Sequence, residues 1–119
     1  MLLDPADVAR LRDMIDYAQE AIDLLGGPAL SDFIADRRTF LAVSHCIGIV
    51  GEAGWKLSDP VKRAHSTIPW PLIAGMRHKL VHDYGRTEHS IVHRVVAEHL
   101  PPLVRDLRII IAAEVPPPG

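Results

Sequence analysis

The sequence predicts an all-α protein, an up-and-down bundle of four main helices plus short ones. Three observations carry that prediction. Apolar residues recur at alternating steps of three and four in two long stretches, the spacing of a helix with one buried face. Helix-start and helix-stop residues bound those stretches. No segment alternates with period two for long enough to be a strand.

The first helix opens at Asp4-Pro5, an N-cap followed by a proline at the first helical position. Its seam runs Val8, Leu11, Ile15, Ala18, Ile22 and Leu25, and Gly26-Gly27-Pro28 ends it. A short piece follows over Ser31 to Ala35. Asp36 then starts a second long helix with the seam Phe40, Val43, Ile47, Val50, Gly54 and Leu57. Matched seams and a short connection predict an antiparallel pair. Gly48, Gly51 and Gly54 lower helix propensity, so they are read as points of close helix approach.

Ser58-Asp59-Pro60 breaks the pattern, with one further turn over Val61 to His65. Ile68-Pro69-Trp70-Pro71 opens a third helix, since proline is tolerated in a first turn. Ile73, Met76 and Leu80 face inward, and the helix ends near Asp83 to Gly85. Thr87 is read as the cap of a fourth helix with Ile91 and Val95 inward, joined by Val92 and Val96. Pro101-Pro102 is read as its stop. Leu103, Leu107, Ile110 and Ile111 mark a last helix. The expected organisation is one helical domain over 1–114 and a Pro-rich tail over 115–119.

A chain of 119 residues suits one domain with one core and little room for a deep private cavity. The single cysteine, Cys46, rules out an internal disulfide and fits a reducing compartment. It reads as a small core residue. The N-terminus lacks a basic region followed by an apolar run, and the apolar stretches are too short to span a bilayer. A soluble, cytoplasmic protein with no membrane partner is expected.

The net charge of -2 argues at first against nucleic acid, but it conceals an asymmetry. Residues 1–60 carry five basic side chains against ten acidic ones, and residues 61–119 carry eight against five. Six of the seven histidines lie in the second half.

The densest chemistry is Arg77-His78-Lys79-Leu80-Val81-His82-Asp83-Tyr84. Histidine titrates near neutrality and can take a proton from a hydroxyl. Arginine stays charged and can hold a phosphate with two donors. On RNA, where the 2′-hydroxyl supplies the nucleophile, such a pair could cleave the backbone without metal. Arg77 and His82 lie about 140° apart on one ideal helix. Meeting therefore needs a break near His82, the reach of Arg77, or a second copy of the chain. The bland alternative is a cationic helix end in which Asp83 partners His82.

Metal readings compete weakly. His78 and His82 are four apart, as are His89 and His93, and either pair could present ligands on one face. His89 and His93 sit beside Ser90 and Arg94 and read as solvated. The order His45, then His82-Asp83, then Asp106 also follows an HD-type phosphohydrolase, although the surroundings of His45 read as packing. Glu52 interrupts an apolar, Gly-rich helix, and Arg77 is its natural partner. Trp70, at the entry of the third helix, reads as a packing anchor.

Ile49-Val50-Gly51-Glu52-Ala53, then Ile68-Pro69-Trp70, then Gly75-Met76-Arg77-His78-Lys79-Leu80-Val81-His82-Asp83-Tyr84 resemble, in that order, the signature of HepT-like proteins of the HEPN superfamily. The resemblance implies an all-α bundle forming a symmetric homodimer, with the Arg and His motifs in an interfacial cleft. It implies a metal-independent endoribonuclease, the toxin of a type VII toxin–antitoxin pair. The implied partners are RNA and a minimal nucleotidyltransferase antitoxin that AMPylates the motif tyrosine; no cofactor is implied. Arg77 and His82 match the catalytic pair and Tyr84 the modified tyrosine. Glu52 matches the family's second-helix glutamate, and Asp83 and His78 are supporting residues. His78 stands where the family more often has asparagine. Lys79 and Arg86 are the expected RNA-binding cations. The alternative within the same superfamily is a catalytically silent module that binds a nucleotidyltransferase or a nucleotide.

Overall fold

The computed structural model describes residues 3–27, 30–82 and 89–114, with the backbone alone for residues 30, 31, 34 and 79–82. Among these residues all regular structure is helical. The helices are α1 (Pro5–Leu25), α2 (Leu30–Ala35), α3 (Arg37–Lys56), α4 (Asp59–Ala64), α5 (Trp70–His82), α6 (His89–Arg94) and α7 (Leu100–Glu114). A π-helical turn, Val95–His99, joins α6 to α7 without a break, so four long helical bodies make the bundle.

The helix ends follow the local chemistry read from the sequence. The Asp4 carboxylate accepts the Ala6 N–H at 2.8 Å and Pro5 is the first helical residue. Asp4 thereby satisfies one of the donors that a helix start leaves open. At the other end Gly26 adopts φ 62°, and its N–H reaches the Ile22 carbonyl at 3.0 Å. A side chain is disfavoured at that φ, so glycine stops the helix here. Asp36 caps α3 by accepting from the Thr39 N–H at 3.1 Å and the Thr39 hydroxyl at 2.6 Å.

α1 and α3 form the antiparallel pair that their seams predict. The start of α1 meets the end of α3: the Asp7 carboxylate accepts from the Ser58 N–H at 3.0 Å and the Ser58 hydroxyl at 2.6 Å. Asp7 is 4% exposed, a buried charge kept tolerable by those two donors. The seam residues Leu11, Ile15, Ala18, Leu25, Phe40, Val43, Ile47, Val50 and Leu57 are all buried. α7 closes the bundle against α1, where the Leu3 N–H donates to Glu114 at 2.6 Å and Arg108 to Gln19 at 3.4 Å. Cys46 is buried, and removal from water raises its thiol pKa above the ordinary value.

Two expectations for the C-terminal half are corrected. Pro101-Pro102 does not stop the helix. An α-helical Pro101 would lack its N–H and press its ring on the carbonyl four residues back. The π-helical turn just before it widens the spiral, and the Leu100 N–H reaches back five residues to Val95. The helix continues as α7. Along α6 and the π-helical turn, Val92 and Val96 face the core at 3% and 1% exposure and Val95 packs against it half-buried, as expected, whereas Ile91, expected inward, is 44% exposed. The expected cap Thr87 lies outside the described residues, as does the 115–119 tail.

Trp70 is the packing anchor expected at the entry of α5. It is buried, and its indole N–H donates to the His65 carbonyl at 3.0 Å. That bond ties the start of α5 to the turn after α4.

Candidate functional site

The site is built where α5 lies against α3. A Cβ placed on Gly51 would stand 2.9 Å from both the Arg77 amide nitrogen and the Ile73 carbonyl oxygen. Real Cβ atoms do not come that close to backbone, so only glycine lets the two helices touch here. One turn later, a Cβ on Gly54 would stand 2.9 Å from Ile73 Cγ2 and 3.4 Å from Met14 Cε. Moving back along α3 from Gly54 to Gly51 moves forward along α5 from Ile73 to Arg77. The two helices are antiparallel. Gly48 departs from the expectation for all three glycines, since a Cβ there would meet nothing within 4 Å.

This backbone contact positions Glu52 and Arg77. Glu52, next to Gly51, forms an ion pair with Arg77 at 3.9 Å (Oε2 to Nε). Its other oxygen lies 3.2 Å from Lys56 Nζ, one turn on. The three side chains are half exposed, Arg77 at 51% and Glu52 at 41%. Hydrogen bonding from Lys56, then its charge, then that of Arg77 hold the Glu52 carboxyl below its ordinary pKa. Sequence reasoning names Arg77 as the partner of Glu52 and misses Lys56. The i, i+4 spacing of Glu52 and Lys56 is the signal that points to it.

The arrangement leaves an accessible guanidinium, steadied on one side by a carboxylate and free on others to meet an anion. α5 stays helical through His82, so Arg77 and His82 occupy backbone positions about 140° apart around one helix. No break separates them within α5, which leaves the reach of Arg77 or a second copy of the chain. His78 follows Arg77 as an exposed residue. The side chains of Lys79 and His82, and the whole of Asp83, Tyr84 and Arg86, lie outside the described residues.

The other histidine pair behaves differently from its expected solvated state. His89 stacks on Phe40 with ring centroids 4.0 Å apart and lies edge-on to Phe33 at 6.1 Å. His93 meets Phe33 at 5.7 Å. Both are half-buried against the aromatic joint of α2, α3 and α6. His45 is exposed and edge-on to Tyr17 at 6.4 Å. Among the described residues no group of three His, Cys, Asp or Glu side chains could hold a metal ion. No helix among them is long and apolar enough to cross a membrane.

Comparison with known proteins agrees with this architecture. The "Probable ribonuclease HepT" of Thermococcus cleftensis is 33% identical over 96 residues, covering 77% of this chain and 87% of its own length. A protein named as an RNase from Caldanaerobacter subterraneus subsp. tengcongensis is 29% identical over 104 residues, 87% of this chain and 93% of its own. Another so named, from Methanocaldococcus jannaschii, is 27% identical over 103 residues, 87% of this chain and 85% of its own. No solved structure matches the chain significantly. The model of the ribonuclease HepT-like family matches residues 14–110, a span that includes Gly51, Glu52, Arg77 and His82. With its helical bundle and its Glu52–Arg77 pair on a glycine seam, the chain belongs to the ribonuclease HepT-like family.

Proposed function

We propose that the protein is a metal-independent endoribonuclease acting as a homodimer, with Arg77 and His82 as its catalytic pair. The observation that carries this reading is the accessible Arg77 guanidinium, held beside Glu52 by the Gly51 contact in a chain of this family. His82 takes the proton of an RNA 2′-hydroxyl as that oxygen attacks the adjacent phosphorus. The bond from phosphorus to the 5′ oxygen breaks, and a proton is returned to the leaving oxygen. Arg77 stabilises the additional negative charge on the phosphoryl oxygens as the new bond forms. Glu52 keeps Arg77 oriented, and Lys79 and Arg86 serve the RNA backbone, with His78 and Asp83 in support.

The biological setting proposed is the toxin of a type VII pair, restrained by a minimal nucleotidyltransferase antitoxin. An AMP group on Tyr84 would place bulk and phosphate charge beside the cationic site and so exclude RNA.

The test is cleavage of RNA by the purified chain in the presence of a chelator. Wild type cleaves, and Arg77→Ala or His82→Ala lowers the rate by roughly 100-fold or more with the helical circular dichroism unchanged. Undiminished cleavage by either variant sinks the catalytic assignment. If wild type is inert where a control ribonuclease works, the silent binding module is the better reading. His78 in the asparagine position is the residue that favours that outcome.

A further inference from the structure

α5 leans chiefly on α3, and its other flank borders an apolar groove of about 680 Å³. The far wall is built by α6, the π-helical turn and α7. That volume is in the range of clefts that hold a bound group. Leu72, Gly75 and Met76 line the groove at the i, i+3 and i+4 positions of α5, one face of a helix. Ile91, Val95 and Pro102 line it from the opposite side. Leu72 is 72% exposed and Ile91 is half-exposed, so the apolar rim reaches into solvent. Exposed apolar residues joined into one patch mark an interaction site, whereas single scattered ones do not.

Two further features describe the occupant. Among the described residues, the side chains of Glu98 and Asp106, both exposed, bring negative charge to the groove, with His99 beside them and no lysine or arginine. Pro102 returns no N–H to the Glu98 carbonyl one turn earlier, so that edge is rich in acceptors. It suits a cation that donates several hydrogen bonds, an ammonium or a guanidinium. On the opposite wall Gly75 has open space at its Cβ position, although glycine weakens a helix interior. Gly51 shows within this chain what such a position permits, the close approach of another helix backbone.

We propose that the groove seats an amphipathic helix of a partner protein, with apolar side chains between α5 and α7 and a lysine or arginine on Glu98 and Asp106. Two helical walls then hold a third helix between them, a helix-in-groove contact. A second copy meeting this groove on a two-fold axis would bring the same carboxylates and no cation. A small organic cation would fill the floor and leave Leu72 in water. Arg77 lies on the flank toward α3, so an occupant of the groove leaves the Glu52–Arg77 pair accessible. Docking here does not depend on RNA cleavage.

The experiment titrates the full chain with a synthetic helical peptide of about 18 residues, leucines on one face and lysines at its borders. A twin peptide carries glutamates in place of the lysines. The lysine peptide shifts the methyl NMR signals of Leu72, Ile91 and Val95 and binds roughly tenfold more tightly than its twin. Glu98→Gln combined with Asp106→Asn removes most of that preference. Gly75→Leu and Leu72→Gln each weaken binding roughly fivefold or more, with the helical circular dichroism unchanged. Ile109→Gln, at a position 63% exposed on another face of α7, binds as wild type does. Equal affinity for the two peptides, shifts confined to Ile109, or wild-type binding by Gly75→Leu would each overturn the proposal. A dimer that Leu72→Gln alone dissociates, seen by sedimentation, would make a second copy the occupant and overturn it too. So would saturable binding of dodecyltrimethylammonium in the groove where the lysine peptide does not bind.

Discussion

The two flanks of α5 differ in how they meet their neighbours. Toward α3 the backbones touch: Gly51 leaves no room for even a methyl group against Arg77 and Ile73. Toward α6 and α7 the same helix leaves an apolar groove of about 680 Å³, with Leu72, Gly75 and Met76 on one wall and Ile91, Val95 and Leu103 among the others. Gly75 has open space around it. The catalytic candidate Arg77 sits on the closed flank. A charged side chain is placed reproducibly only where the backbone beneath it cannot shift, and the closed flank supplies that rigidity. The open flank tolerates change.

One substitution made on each side should therefore have opposite signs. Gly51→Ala introduces a methyl group against two backbone atoms that cannot swing aside. We expect it to cost roughly 1–3 kcal/mol by denaturant unfolding, despite the better helix propensity of alanine. It should also displace Arg77 and reduce RNA cleavage together with stability. An unchanged unfolding midpoint would mean that the seam is not closed. Gly75→Ala meets nothing, so propensity alone should act and stabilise by roughly 0.5–1 kcal/mol. Destabilisation there would show that the groove is filled in solution.

The smallest effect sharpens the electrostatics of the closed flank. Glu52 has its pKa lowered by Lys56 and Arg77, so it contributes stability that is present above its unfolded pKa and lost as pH falls through its folded one. Carboxyl titration followed by NMR should place its midpoint below the ordinary value of 4.5. Lys56→Ala should raise that midpoint further than Arg77→Ala, because Lys56 supplies both the closer charge and the hydrogen bond. The reverse order would make Arg77 the principal partner.

Much of the fold is legible in the order of residues along the chain. Asp4, Pro5, Gly26 and Asp36 act through their own backbone neighbourhoods, and the heptad-like seams of α1 and α3 name their buried faces directly. Glu52 and Arg77 are legible as a pair because a carboxylate in an apolar, glycine-rich helix demands a cation. The burial of Asp7 is not, since its partner Ser58 lies fifty-one residues away. Nor is the stacking of His89 on Phe40, which depends on how α2, α3 and α6 converge.

What the sequence by itself determined is the helical bundle, its boundaries in the first half, and the identity of the chemical groups at the site. Those follow from interactions within a few residues and from the period of the apolar pattern. Tertiary structure alone decided which glycine is a contact and which is open. Gly48, Gly51 and Gly75 are alike in sequence, yet only Gly51 lies where a neighbouring backbone crosses. It likewise decided that Pro101-Pro102 would be absorbed by a π-helical turn, with core residues Val96, Leu100 and Leu103 buried on either side. Keeping those residues in the core outweighs the backbone bonds that two prolines remove, and that balance is set by the packed bundle.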